Sequence, residues 1–410
     1  MEAEDVKASI EYGKTFPDGS LYNDSIESVE VMDEYTVRIH TKSPDASLLF
    51  NLTQHANAIV PKELIDAGND FNENPIGCGP YKFQEWQSGQ YVSLVRYDDY
   101  HLGKAVNGGV VVRIIPESAT AVSEVMTGGV DVKTDLAADQ VDLLKGAEGV
   151  NVITVPGKNL SILSFADYEK NELFKDIRLR QAVCYALDMD TINKALYGDA
   201  LVSAKSAIPV IMQAGDWDGY EPIGYDVEKA KELMAEAGYP DGFEFTCLTY
   251  NVAKSYNPAG EQLAVQLQAE LAKVGITMNI EILPWAEFTE RMYADPVEGY
   301  DVLLHGWGAD YNDTSNILFL FSDDEIGGGA NHSGYNDPEF NELFDAAKAA
   351  SSYEEAGELY AQAAQKVNED VPAYILGHGN DYVATSAAIL NGDEYLGGWG
   401  NQIRFIKKAA

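Results

Sequence analysis

Between Phe243 and Trp307 the spacing of apolar residues switches repeatedly between two periods. In FEFTCLTY (243–250), ITMNIEIL (276–283) and YDVLLHGW (300–307) apolar residues alternate or run on, as in strands. In GEQLAVQLQAELAKVG (260–275) and WAEFTERMYA (285–294) they recur at helical spacing. Strand, helix, strand, helix, strand predicts a parallel α/β sheet, because parallel neighbours need a long crossover. Ligands of open α/β sheets lie outside the carboxyl ends of the strands. The chain leaving the last of these strands, Gly306-Trp307-Gly308-Ala309-Asp310-Tyr311-Asn312-Asp313, is therefore the first candidate site.

The remaining pattern frames this segment. An alternating strand is predicted over Ser28–His40 and a helix near Asp45–Leu52, giving a small α+β unit. A Gly/Pro cluster, NPIGCGP (74–80), marks a lobe boundary, and strands follow at Tyr91–Arg96 and Val110–Ile115. From Phe174 to Gly198 one long amphipathic helix is expected, with Asp176 as N-cap and Gly198 as terminator. Its apolar positions Ile177, Leu179, Ala182, Val183, Ala186, Leu187 and Ile192 share a face. Two further helices, 337–350 and 352–370, precede a strand VPAYIL (371–376) and a glycine-rich C-terminal run.

Length and charge narrow the classes. At 410 residues the chain exceeds one hydrophobic core and predicts two or three lobes. Its 28 basic and 66 acidic residues give a net charge of −38, spread without long runs, which argues against a nucleic-acid partner. No apolar stretch is long enough to span a bilayer, and MEAEDVKASIEY carries no secretory signal pattern. Cys78, Cys184 and Cys247 lie far apart without a CxxC spacing, so three reduced, partly buried thiols are expected.

The chemistry of catalysis is not written in motifs. The sequence has no GxSxG, HExxH, GxxxxGK[ST] or GxGxxG, and no catalytic residue is assigned. The six histidines, at 40, 55, 101, 305, 332 and 378, lack metal-ligand spacing, so neither metal nor cofactor is expected. His305 abuts the candidate segment, although a hydrogen-bonded core histidine is the plainer reading. Asp310 fits a carboxylate that binds an ammonium group in a closing cleft, with a cap or turn aspartate as the alternative. Trp307 supplies either a flat apolar ligand wall or core packing. Tyr311 and Asp313 either touch ligand or shape the loop.

Four segments resemble, in order and spacing, the family 5 solute-binding proteins of ABC importers, which include oligopeptide, dipeptide, nickel and some oligosaccharide binders. NPIGCGPYKF (74–83) is similar to the family's NP(I/V)GTGPYKF turn, with Cys78 at the threonine position. FKDIRLRQAVCYALD (174–188) is similar to its F-x-D-x-R-V-R-Q-A helix, and Ala204–Pro209 to its small-residue loop. GWGADYND (306–313) and NHSGYNDPEFNELF (331–344) complete the set.

The resemblance implies a type II periplasmic-binding-protein-like α/β fold, with two hinged lobes and a smaller attached α+β domain. The expected division is 1–73 for the small domain and part of the first lobe, 74–177 for the first lobe, 178–377 for the βαβαβ ligand-binding lobe and 378–410 for the return. It implies a protein that captures short peptides outside the cytoplasmic membrane by lobe closure and hands them to ABC permease transmembrane subunits. Such a protein is expected to be monomeric, periplasmic or at the cell surface, and lipid-anchored when full length. Asp310 would take the peptide's free α-amino group, with Gly306, Trp307, Tyr311, Asp313 and His305 around it. Leu304 and His305 stand where peptide binders often carry an arginine. The opening EAEDVKASIEY resembles a family helix that follows a signal peptide, a lipidated cysteine and part of the first lobe, so an N-terminally incomplete chain is expected. An oligosaccharide or nickel-chelate ligand, with stacking from Trp307, Trp285 or Tyr311, is the alternative within the class, and an acidic secreted hydrolase the alternative outside it.

Overall fold

A computed structural model describes residues 1–134, 136, 138–397 and 402–409. The chain divides into two compact units, Met1–Thr154 with Tyr382–Ala410, and Val155–Asp381.

In the first unit, helix Ala3–Gly13 packs on a hairpin of β1 (Ile26–Asp33) and β2 (Thr36–Thr41). Ile10, Ile26 and Val29 form its core, with Val37 and Ile39 against them. The single strand expected over 28–40 is thus two strands. Asp33 turns the chain, its carboxylate accepting from the Tyr35 N–H at 2.9 Å, the short-range bond that makes aspartate a turn former. The helix expected over 45–52 shrinks to Leu48–Asn51.

A separate antiparallel sheet joins β3 (Tyr81–Gln87), β4 (Tyr91–Arg96) and β5 (Gly109–Arg113). Register places Phe83, Leu94 and Val110 in one cross-strand row and Trp86, Val92 and Val112 in the next. None of the six is buried. The short strand β6 (Val132–Lys133) completes the unit's named strands.

The second unit is built on β7 (Val150–Phe165), β8 (Leu201–Val202), β9 (Glu244–Tyr250), β10 (Thr277–Leu283), β11 (Val302–Gly308) and β12 (Ala373–Ser386). The strands are ordered β10-β9-β11-β7-β12, with β8 against β12. β9 runs parallel to β10 (Thr277↔Glu244) and to β11 (Val302↔Cys247). Helices Gly260–Ala272 and Trp285–Met292 make the two crossovers, so the predicted βαβαβ unit is present. Beyond β11 the sheet becomes mixed, because β7 pairs with β11 antiparallel. Pro156, Gly157 and Lys158 break the apolar pattern of β7, and the sequence predicts no strand there. The strand expected at 371–376 runs on to Ser386. The chain passes between the two units within β7 and within β12.

The one long helix expected over 174–198 is two helices, Ile177–Tyr185 and Met189–Tyr197. Asp176 caps the first, as expected, and Gly198 ends the second at φ +59°. The break is made by Asp188, whose carboxylate accepts from the Thr191 N–H (3.1 Å) and hydroxyl (2.8 Å) and so starts a new helix. Leu179, Ala182, Val183, Ala186, Leu187 and Ile192 are buried; Ile177 is only partly so.

On the first of these helices Arg180 is buried, and its guanidinium donates to four main-chain carbonyls, three at short range, Phe174 (2.6 Å), Asp370 (2.8 Å) and Val371 (2.9 Å), and Lys175 at 3.4 Å. Its plane lies 4.0 Å from the Tyr168 ring centroid. It closes the C-terminal end of helix Tyr353–Asp370, where cations are favoured by the helix dipole. All three cysteines are free; Cys184 and Cys247 are buried, whereas Cys78 is exposed on the Gly/Pro turn rather than partly buried.

Candidate functional site

The candidate segment begins inside the sheet. β11 extends to Gly308, so Gly306, Trp307 and Gly308 are strand residues paired with Ser161, Leu160 and Asn159 of β7, not loop residues. The ladder continues with the Ala309 N–H donating to the Lys158 carbonyl at 2.8 Å. Gly306 is required by packing: a Cβ there would lie 2.5 Å from the Leu160 carbonyl oxygen and inside the Tyr256 ring. Trp307 is partly buried, edge-on to Phe319 at 5.1 Å between ring centroids, and its indole N–H finds no acceptor among the described residues.

Past the strand end the two aspartates separate by environment. Asp310 is exposed; its backbone N–H donates to Asn316 Oδ1 at 2.7 Å, while its carboxylate has no partner among the described residues. Asp313 is buried, and Oδ1 accepts from the Ser315 N–H (2.8 Å) and the Tyr360 hydroxyl (3.4 Å), which fixes the turn into helix Ser315–Leu318. Tyr311 between them is partly buried.

His305 lies beneath this end of β11. It is buried, with Nε2 2.8 Å from Ser164 Oγ and its ring 5.1 Å from that of His332, which in turn meets Tyr293 at 5.3 Å. Burial disfavours the charged form of both rings. It holds His332 down to about 4 and, with His332 beside it, His305 well below the usual histidine range. Both are neutral at pH 7.

A residue that the sequence does not single out organises the whole end. Asn257 is fully buried; its amide donates to the His305 carbonyl (3.0 Å) and to Tyr250 Oη (3.2 Å), and its oxygen accepts from the Ser161 hydroxyl. It ties the segment after β9 to both β11 and β7. Nothing in the local sequence YNPAG distinguishes it from a surface asparagine. Trp285, expected as a stacking surface, is packed edge-on to Tyr250 and stacked on Phe288, and Lys254 Nζ lies 3.5 Å over its ring. No three His, Cys, Asp or Glu side chains among the described residues are grouped to hold a metal ion.

The segment 331–344 is structural. Asn331 is buried, donating to the Ser322 and Tyr335 carbonyls at 2.9 Å each and accepting from Ser333 Oγ at 2.8 Å. The Tyr335 hydroxyl donates to Asp370 at 2.7 Å, and Asp337 caps helix Pro338–Lys348.

This sheet, with a free carboxylate and an indole at the carboxyl end of β11, has the fold of the type II periplasmic-binding proteins. The model of bacterial extracellular solute-binding proteins, family 5, matches residues 1–329, and the chain belongs to that family. The family is one of binding proteins, not an enzyme class. The dipeptide-binding protein of Escherichia coli is 31% identical over 360 residues, covering 86% of this chain and 66% of that protein. The oligopeptide-binding protein AppA of Bacillus subtilis is 31% identical over 389 residues, covering 89% and 69%. The structure of the periplasmic binding protein DppA from Helicobacter pylori with the peptide STSA superposes with a TM-score of 0.74 at 27% identity, covering all of this chain and 82% of that one. The chain thus spans about two thirds of the length of the curated relatives it matches. No helix among the described residues is long and apolar enough to cross a membrane.

Proposed function

We propose that the chain is the substrate-binding component of an ABC importer and captures short peptides outside the cytoplasmic membrane. The observation that carries this reading is the unpartnered, exposed carboxylate of Asp310 at the carboxyl end of β11, three residues on from Trp307, on a chain related to dipeptide- and oligopeptide-binding proteins. A carboxylate so placed accepts a charge-assisted hydrogen bond from a peptide's α-ammonium group, and exclusion of water on binding strengthens it. Trp307, three residues earlier and partly buried, supplies apolar surface. Gly306 keeps the strand thin, while Asp313, Tyr311 and His305 set the loop and its support rather than the charge. The bound peptide is delivered unaltered to the permease transmembrane subunits, by a monomeric protein held at the outer face of the membrane by a lipid anchor.

Calorimetric titration with di- to hexapeptides tests the reading. Asp310→Ala is expected to weaken peptide binding by about 2 kcal/mol, some thirtyfold, the scale of a desolvated charge-assisted bond. N-acetylation of the peptide should cost the wild type as much and the variant nothing more. Equal affinity for acetylated and free peptides would refute the role of Asp310.

A further inference from the structure

One imidazole in the second unit faces two acceptors. His378 on β12 is partly buried, with Nδ1 3.1 Å from the carbonyl oxygen of Asn159 on β7 and Nε2 3.0 Å from the carbonyl oxygen of Ser206. A neutral imidazole carries a single N–H, so it donates to one of these carbonyls and turns a lone pair on the other. An imidazolium carries two and bonds both.

The charged residues nearest in the chain to the ring and its two acceptors are Lys158, Lys205 and Asp381. Across the sheet His378 pairs with Val202 of β8. Asn193, from helix Met189–Tyr197, donates its amide to the Leu376 carbonyl (2.8 Å) and Ser203 Oγ (3.3 Å). The Asn159 side chain accepts from the Gly379 N–H at 3.0 Å. No ionised side chain among the described residues acts on the ring: burial pulls its pKa down, and the Asn159 and Ser206 carbonyls pull it up more weakly. The ring is therefore neutral near pH 7, and gains its second proton only below the usual histidine range.

One of the two acceptors belongs to a strand of the candidate site. Asn159 pairs with Gly308 at the very end of β11, between Trp307 and Asp310. Ser206 lies in the small-residue segment 204–209, and its own hydroxyl accepts from the Ile208 N–H at 3.2 Å. We propose that His378 is a proton-operated clasp: with one ring N–H it holds one of the two carbonyls, and with two it fastens both β7 at Asn159 and the 204–209 segment to β12. It is a positioning residue; the added proton comes from solvent and goes onto the ring lone pair, and no covalent bond changes.

The test uses the whole chain, labelled with ¹⁵N in histidine, and no ligand, so its outcome is independent of the peptide reading. Side-chain ¹⁵N spectra at about pH 7.5 are expected to show His378 with one protonated and one unprotonated nitrogen, and, as the pH is lowered while circular dichroism stays native, with both protonated. Across the same step the amide protection factors of residues 206–208 are expected to rise about threefold or more, and His378→Asn, with no proton to gain, is expected to lose that step. A ring that stays neutral until the chain unfolds would overturn the proposal. So would full protonation without a change in protection at 206–208, or an unchanged step in the variant.

Discussion

Arg180→Met is the most demanding perturbation of the second unit. The substitution keeps an apolar stem of similar length but removes the donors that the carbonyls of Phe174, Asp370 and Val371 now share, at 2.6, 2.8 and 2.9 Å. A buried carbonyl left without a donor costs about 1–2 kcal/mol, so three cost roughly 3–6 kcal/mol. Part of that is returned, because the guanidinium no longer has to be desolvated. The net expectation is a loss of about 3 kcal/mol, which for a unit of this size lowers the melting temperature by roughly 6–12 °C. Arg180→Lys should recover little of it, since one ammonium cannot reach three carbonyls around a fixed fork and does not stack as a plane on Tyr168. Urea denaturation followed by tryptophan fluorescence and circular dichroism gives both numbers. A loss below about 1 kcal/mol for Arg180→Met, or a lysine variant as stable as the wild type, would refute the view that the three carbonyl bonds are what the arginine is for.

Two further outcomes are expected. Because burial holds His332 at about 4 while an unfolded histidine titrates near 6.5, the unfolded chain binds more protons between these values. Stability should therefore fall as pH drops from about 6.5 towards 4, by about 3 kcal/mol from this residue, and denaturation curves of His332→Gln should be correspondingly flatter over that window. Gly306→Ala should displace Tyr256 or part β11 from β7, because its Cβ would lie 2.5 Å from the Leu160 carbonyl; a cost of about 1–3 kcal/mol is expected, and Tyr256→Ala in the same chain should recover little, since the backbone clash remains.

Patterning made much of the second unit legible. Apolar periodicity in 243–307 gave the strand and helix order, because in a buried parallel unit each element must present its face at the period of its own geometry. Capping was equally local, and Asp176 and Gly198 fell where their chemistry placed them. Asp188 was missed because a capping aspartate inside an unbroken amphipathic pattern differs in no local feature from a solvent-facing one. β7 was hidden by Pro156 and Gly157, whose cost in a strand is overridden by neighbours on both sides, β11 and β12.

At the candidate site the sequence determined the residue types and the strand end that carries them, because the order of elements dictates which turn follows a carboxyl end. What only tertiary structure decided is which side chain is left without a partner among the chain's own described residues. Asp310 and Asp313 are three residues apart and chemically identical, yet a serine N–H and the Tyr360 hydroxyl engage Asp313 and leave the carboxylate of Asp310 exposed. Asn257, Arg180 and His378 acquire their roles in the same way, from carbonyls brought to them across 48, 191 and 219 residues of chain. A sequence records a side chain's donors and acceptors; which of them are already satisfied is fixed only when distant backbone is folded against them.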